Sequence, residues 1–234
     1  MSNFRRPVYA KPMTYTKTIP ETEAQHDAPM ARSERREQSL SRLIRAGTEM
    51  LCEQSYASMG VEHVLQRAGL SKGSFYHFFT SKEQFGLSVI AYYADYYNRK
   101  LERILLQPGL SPLECLKRYI QEGIEGVERF EFRRGCLIGN LSQELGASQP
   151  LFRMALEETF KTWQDKIAAV LQRAIVAGEL DASADIQAFA EFFWSGWEGA
   201  LIRAKLLQSS DPITRFTEQF FKVLPKTVQK RIKK

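Results

Sequence analysis

An all-α fold is predicted from three observations. From Leu40 onward, apolar residues recur at three- and four-residue steps, the spacing that gathers them on one helical face. Each run is bounded by residues that cap or break helices. No alternating strand of useful length and no internal repeat interrupts the pattern.

The elements follow in order. Residues 1–31 hold four of the nine prolines, at 7, 12, 20 and 29, without hydrophobic periodicity, and read as a flexible leader. Leu40, Leu43, Ile44, Gly47, Met50 and Leu51 place one apolar face on a helix near 34–54. Val61, Val64, Leu65 and Ala68 line a short second helix that Gly69 closes. Ser71 is expected to cap a very short helix over 72–78, and Ser81 a long one running to about Leu106. Pro108-Gly109 ends that helix, and Ser111-Pro112, a cap followed by a first-turn proline, begins the next. Further helices are expected at 112–130, 136–146, 150–177, 184–208 and 212–224. Their boundary signals are Gly135, Gly146 with Pro150, Gly178, Ser183 and Asp211-Pro212.

Composition excludes several classes. The chain has 234 residues and 44% hydrophobic content, enough for a buried core and too apolar for a wholly disordered protein. No apolar run approaches the ~18–20 residues that cross a bilayer, and the N-terminus lacks the apolar stretch of a signal peptide. Cys52, Cys115 and Cys136 are too far apart for a zinc site and odd in number, which argues for a reducing, cytoplasmic setting with no membrane partner. Three histidines make a histidine metal cluster improbable, and neither a metal nor a cofactor is expected. The net charge of +6 is uneven. Residues 1–82 carry 12 basic and 8 acidic side chains, residues 83–225 carry 16 against 19, and the tail over 226–234 adds five basics and no acid.

The informative segment runs from Val61 to Glu83. Two short helices joined by Ala68-Gly69-Leu70-Ser71 have the turn of a helix-turn-helix, which offers the start of its second helix to the DNA major groove. Lys72 and Ser74 suit base edges, and Gly73 permits close approach of the backbone. Tyr76, His77 and Lys82 are placed to touch phosphates, while Phe75, Phe78 and Phe79 form the small core. The bland alternative is an ordinary helical hairpin in which Tyr76 and His77 fill space. Arg32, Arg35 and Arg36 form a basic arm before the first helix, either reaching the duplex or simply solvated.

Residues 40–90 resemble the DNA-binding domain of the TetR family of transcriptional repressors. The likeness is carried by Ala68-Gly69-Leu70-Ser71-Lys72-Gly73-Ser74-Phe75-Tyr76-His77-Phe78-Phe79 and Ser81-Lys82-Glu83. It departs at Gly60, where the family often has Ser or Thr, and at Ser55, where it often has Gly. The resemblance implies a homodimer with an N-terminal three-helix helix-turn-helix DNA-binding domain and a larger C-terminal helical ligand-binding and dimerisation domain. The expected division is 1–32 leader, 33–82 DNA-binding domain, 83–225 effector domain and 226–234 basic tail. The implied partners are a palindromic double-stranded DNA operator, contacted by Ser71, Lys72, Gly73, Ser74, Tyr76, His77, Lys82 and Arg36, and a small-molecule effector.

Two further stretches, Phe132 to Glu144 and Phe193 to Lys205, are similar to the acrylate-responsive and electrophile-sensing branch of that family. Cys136 follows Gly135 at a helix start with Arg133 and Arg134 upstream, a setting expected to lower a thiol pKa. Against this, free cysteine is often just a small buried hydrophobe. Trp194, Trp197, Glu198 and Lys205 share one helical face, either a pocket wall or a dimer interface. Asn140 and Glu144, one and two turns beyond Cys136, are further pocket candidates. Two alternatives stay open: a cysteine-dependent enzyme using Cys136 with His63 or His77 as base, and an activator of the same fold. The absence of a phosphate loop or serine elbow disfavours the enzyme.

Overall fold

The computed structural model describes residues 32–227. Its helices are α1 (Arg32–Glu53), α2 (Val61–Ala68), a 3-10 helix (Lys72–His77), α3 (Lys82–Leu105), α4 (Pro112–Arg129), α5 (Leu137–Leu145), α6 (Pro150–Val176), α7 (Ile186–Leu207) and α8 (Asp211–Val223). The chain is all-α, as expected. Among the described residues the one departure is an isolated antiparallel bridge between Leu180 and Lys226.

The local signals act as the residue types dictate. Gly69 takes a left-handed φ of 61° and ends α2, with Leu70 N–H returning to Leu65 O at 3.0 Å. Ser81 accepts from Gln84 N–H at 3.0 Å. Ser111 and Glu114 form a reciprocal capping box at the start of α4, an arrangement worth about 1 kcal/mol. Ser183 does not cap α7. The side chain of Asp185 accepts from Ala188 N–H instead, because it stands directly before the first turn.

Three expectations are corrected. Arg32, Arg35 and Arg36 lie inside α1 rather than on an arm, so the leader loses its last residue; residues 1–31 fall outside the described residues. Ser71 makes no side-chain cap, and the element after it is a 3-10 helix of six residues. So short a segment closes its bonds earlier at i→i+3, as in Ser74 N–H to Ser71 O at 3.0 Å. Lys226 and Thr227 are bound to the body, Thr227 Oγ1 donating to Leu180 O at 2.9 Å, while the rest of the basic tail is outside the described residues.

A small head is built by α1, α2, the 3-10 helix and the start of α3, around fully buried Leu43, Leu51, Phe75 and Phe85. Phe75, Phe79 and Phe85 meet at 5.0–5.4 Å between ring centres. Gly47 lets α1 approach α3, since a Cβ there would lie 2.4 Å from the Phe85 ring. Burying each such side chain stabilises the head by roughly 1.5–3 kcal/mol. The body packs α6 against α3, α4, α5 and α7, with α8 closing on α7. No helix among the described residues is long and apolar enough to cross a membrane.

Candidate functional site

The 3-10 helix presents its polar side chains outward because its apolar ones are drawn into the head. Phe75 is fully buried, whereas Tyr76 is 72% exposed and Lys72, Gly73 and His77 are exposed with it. A side chain at Gly73 would meet nothing within 4 Å, so this position faces open space. Lys72 Nζ lies 2.6 Å from Glu62 Oε1 across the turn, and that carboxylate raises the lysine pKa. Both groups are solvated, so a phosphate can replace Glu62 at little cost. Ser71 Oγ and Ser74 Oγ share a hydrogen bond at 3.0 Å. Arg36 sits 5.3 Å over the Phe78 ring.

Lys82 is placed differently from the expectation. Its Nζ donates to Tyr56 O at 2.6 Å and lies 4.4 Å over the Tyr56 ring, with burial lowering its pKa. In the chain without DNA it grips the loop between α1 and α2.

The body holds a partly open cavity of about 140 Å3 whose wall is largely aromatic: Tyr93 and Tyr97 from α3, Tyr119 from α4, Trp163 from α6, and Trp194 and Trp197 from α7. Trp163 and Trp194 lie 5.0 Å apart, and Tyr119 is 5.7 Å from Trp197. The indole N–H groups of Trp163 and Trp194 are buried without a hydrogen-bond partner. Buried donors of this kind are costly unless something accepts from them. The charged side chains of Lys100, Glu122 and Arg134 also line it, as do Gly135 and Cys136. Trp194 and Trp197 were legible as one helical face. Tyr93, Tyr97, Tyr119 and Trp163 were not singled out, and the i, i+4 spacing of the first two was the available signal.

Cys136 occupies the N-cap position of α5, as its sequence context implies, but its chemistry is the reverse of the expectation. Burial and the neighbouring Glu198 carboxyl push the thiol well above its ordinary value, and a hydrogen bond with the Gly139 backbone only partly opposes them. The two arginines are engaged elsewhere: Arg134 with Glu53 at 2.8 Å, Arg133 with Glu131 at 2.7 Å. Glu198 is itself pushed up to about 7 by burial, its Oε1 without a partner. Its Oε2 fills the space that Gly139 leaves open, 2.0 Å from where a Cβ would stand.

The remaining pocket candidates point away from the cavity. Lys205 lines an adjoining cleft with Glu53, Arg129, Arg133 and Gln208, which shares Phe130 and Arg134 with the cavity. Asn140 Nδ2 donates to Leu51 O at 3.2 Å, and Glu144 accepts from Tyr56 N–H at 2.6 Å and Ala57 N–H at 2.7 Å. Both residues face the head. The sequence placed them on a helix but carried no signal of what covers that face. Among the described residues no cluster fit to hold a metal occurs.

Comparison with known proteins agrees with this geometry. Residues 43–89 match the family model described as bacterial regulatory proteins, tetR family, and residues 112–220 the tetracyclin repressor-like C-terminal domain. The chain is 47% identical over 178 residues to the transcriptional regulator AcuR of Cereibacter sphaeroides, covering 76% of this chain and 81% of that one. It is 30% identical to the HTH-type transcriptional repressor DhaR of a Mycobacterium species, over 79% of this chain and 92% of that one. Among solved structures, regulatory protein TetR from Rhodobacter sphaeroides superposes with a TM-score of 0.77 at 45% identity, covering 80% of this chain and 98% of that one. The reduced form of Escherichia coli NemR shares the fold, with a TM-score of 0.73 at 22% identity over 82% of this chain and 100% of that one. These matches are regulators rather than enzymes, which overturns the reading of Cys136 as a catalytic nucleophile. The chain belongs to the TetR family of DNA-binding transcriptional repressors.

Proposed function

We propose that this repressor binds a palindromic operator as a cytoplasmic homodimer and leaves it when a small effector enters the aromatic cavity. The observation that carries the effector reading is a largely aromatic cavity wall to which Trp163 and Trp194, whose buried indole N–H groups have no partner, both contribute. An aromatic wall with a few polar groups, Lys100 and Arg134 among them, suits a small ligand bearing an acceptor oxygen. One recognition element per subunit meets one half-site, with Lys72, Ser74, Tyr76 and His77 at the groove. The exposed apolar side chains Phe192, Ile202, Leu206 and Leu207 of α7 and Val223 of α8 support a dimer formed through these two helices.

An electrophilic effector has a target in Cys136 on the cavity wall, although the raised thiol pKa makes covalent capture slow at neutral pH. The test is a gel shift with the DNA upstream of this gene and its neighbours, at several salt concentrations and with candidate small carbonyl and carboxyl compounds. Specific binding that weakens steeply with salt and is relieved by a compound supports the proposal. Retention of relief in Cys136→Ser removes its covalent form.

A further inference from the structure

The loop between α1 and α2 is held from two sides by charges that sit at the wrong ends of their own helices. Glu144 is the penultimate residue of α5, where the helix dipole disfavours an anion, and Lys82 is the first residue of α3, where it disfavours a cation. Both violations are offset at one loop, and the two charges share the Tyr56–Ala57 peptide unit. Glu144 Oε2 accepts from Tyr56 N–H at 2.6 Å and Oε1 from Ala57 N–H at 2.7 Å. Lys82 Nζ donates to Tyr56 O at 2.6 Å from the other side. Charge-assisted hydrogen bonds of this length are among the strong ones. Residues that break a local rule and are compensated by tertiary contacts mark places where function sets the choice.

The opposite end of the same short helix forms the cavity wall. Gly135 and Cys136 line the cavity, and Gly135 N–H also donates to Cys52 O of α1 at 3.1 Å. Asn140 Nδ2, midway along, donates to Leu51 O at 3.2 Å. From Cys136 to Glu144 the helix is a rod of about 12 Å at 1.5 Å per residue. One short helix thus spans from the cavity to the loop between α1 and α2.

We propose that Glu144 is the positioning residue that couples the cavity to the DNA-reading head, by clamping the Tyr56 and Ala57 amides. The clamped loop sets the head's seat on the body and hence the separation of the two recognition elements in a dimer. The inference rests on the reading that the cavity receives the effector. Coupling is reciprocal: if the cavity biases the head, DNA on the head must alter the cavity. The molecule carries its own reporter, because all three tryptophans, Trp163, Trp194 and Trp197, line that cavity.

The experiment measures tryptophan emission and iodide quenching of the full chain, with and without a duplex that the unaltered protein binds in a gel shift. The unaltered protein is expected to change its emission on binding duplex. Glu144→Gln is expected to bind the duplex about five- to fifty-fold more weakly and, at saturating duplex, to show no emission change. A full emission change in Glu144→Gln with unaltered affinity overturns the coupling role and leaves the effector reading intact. No emission change in the unaltered protein while duplex is bound also overturns it. Conversely, a Glu144-dependent response in a protein whose operator binding no compound affects sinks the effector reading and leaves the coupling. Should Glu144→Gln fail to fold, hydrogen exchange in the unaltered protein decides. The amides of 54–60 must change protection together with 134–144 when duplex binds, and an unchanged loop overturns the proposal.

Discussion

Glu198 keeps a carboxyl group among apolar residues of α7, with one oxygen unpartnered and a thiol as its neighbour. Its folded value of about 7 lies above the ordinary 4.5, so the fold favours the protonated form. Stability therefore drains as pH rises from about 4.5 through about 7 and stays reduced above that, by an upper bound on the order of 3 kcal/mol. Glu198→Gln is expected to melt higher than the unaltered protein at pH 8 and at nearly the same temperature at pH 4.5. Thermal melts at the two pH values check this, and a gap independent of pH refutes it. The same burial sets a second expectation. With its pKa raised, Cys136 holds less thiolate than a solvated cysteine and should alkylate with iodoacetamide more slowly than glutathione at pH 7.5. Faster capture, located by peptide mass, would show that the thiol is activated. The sequence context of Cys136 pointed the other way, because Arg133 and Arg134 are adjacent in the chain but paired with Glu131 and Glu53 in space.

At the scale of elements, helix limits were legible because caps, prolines and glycines act within one turn. The expected spans 112–130 and 150–177 are found as Pro112–Arg129 and Pro150–Val176. The recognition element was legible in place but not in kind, since i→i+3 against i→i+4 closure depends on how Phe75 and Phe79 are pulled into the head. Lys72→Ala should weaken operator binding and lower the salt slope by about one if the lysine meets a phosphate, read by titrations at several salt concentrations. An unchanged slope assigns Lys72 to a base edge or to Glu62 alone. Gly196 is the point where α8 comes close to α7. A Cβ there would lie 2.2 Å from the Phe216 ring, so Gly196→Ala should pry α8 from α7 and cost about 1–3 kcal/mol in urea unfolding. Gly199, three residues on, has nothing within 4 Å of its Cβ position, so Gly199→Ala meets no clash within the chain.

For the whole molecule, the expected dimer makes a demand that single-residue effects do not. An isologous interface repeats every substitution twice, so Leu206→Arg, at a side chain 68% exposed in the isolated chain, should yield monomers in sedimentation and abolish operator binding. A stable dimer from that variant would place the interface elsewhere.

By itself the sequence determined the all-α class, the order and limits of the helices, the helix-turn-helix and its outward polar residues. Those depend on 3.6-residue periodicity and on capping chemistry, which are local. Only the tertiary structure decided that Asn140 and Glu144 of the body bond to α1 and the loop after it, and that Lys82 bonds to the same loop. It also decided that Lys205 is not among the cavity's lining residues and that the tyrosines of α3 and α4 line it beside the tryptophans. A helical pattern says which side chains share a face, but the element that covers the face is chosen by contacts between residues far apart in the chain, and those contacts set burial, pKa and function.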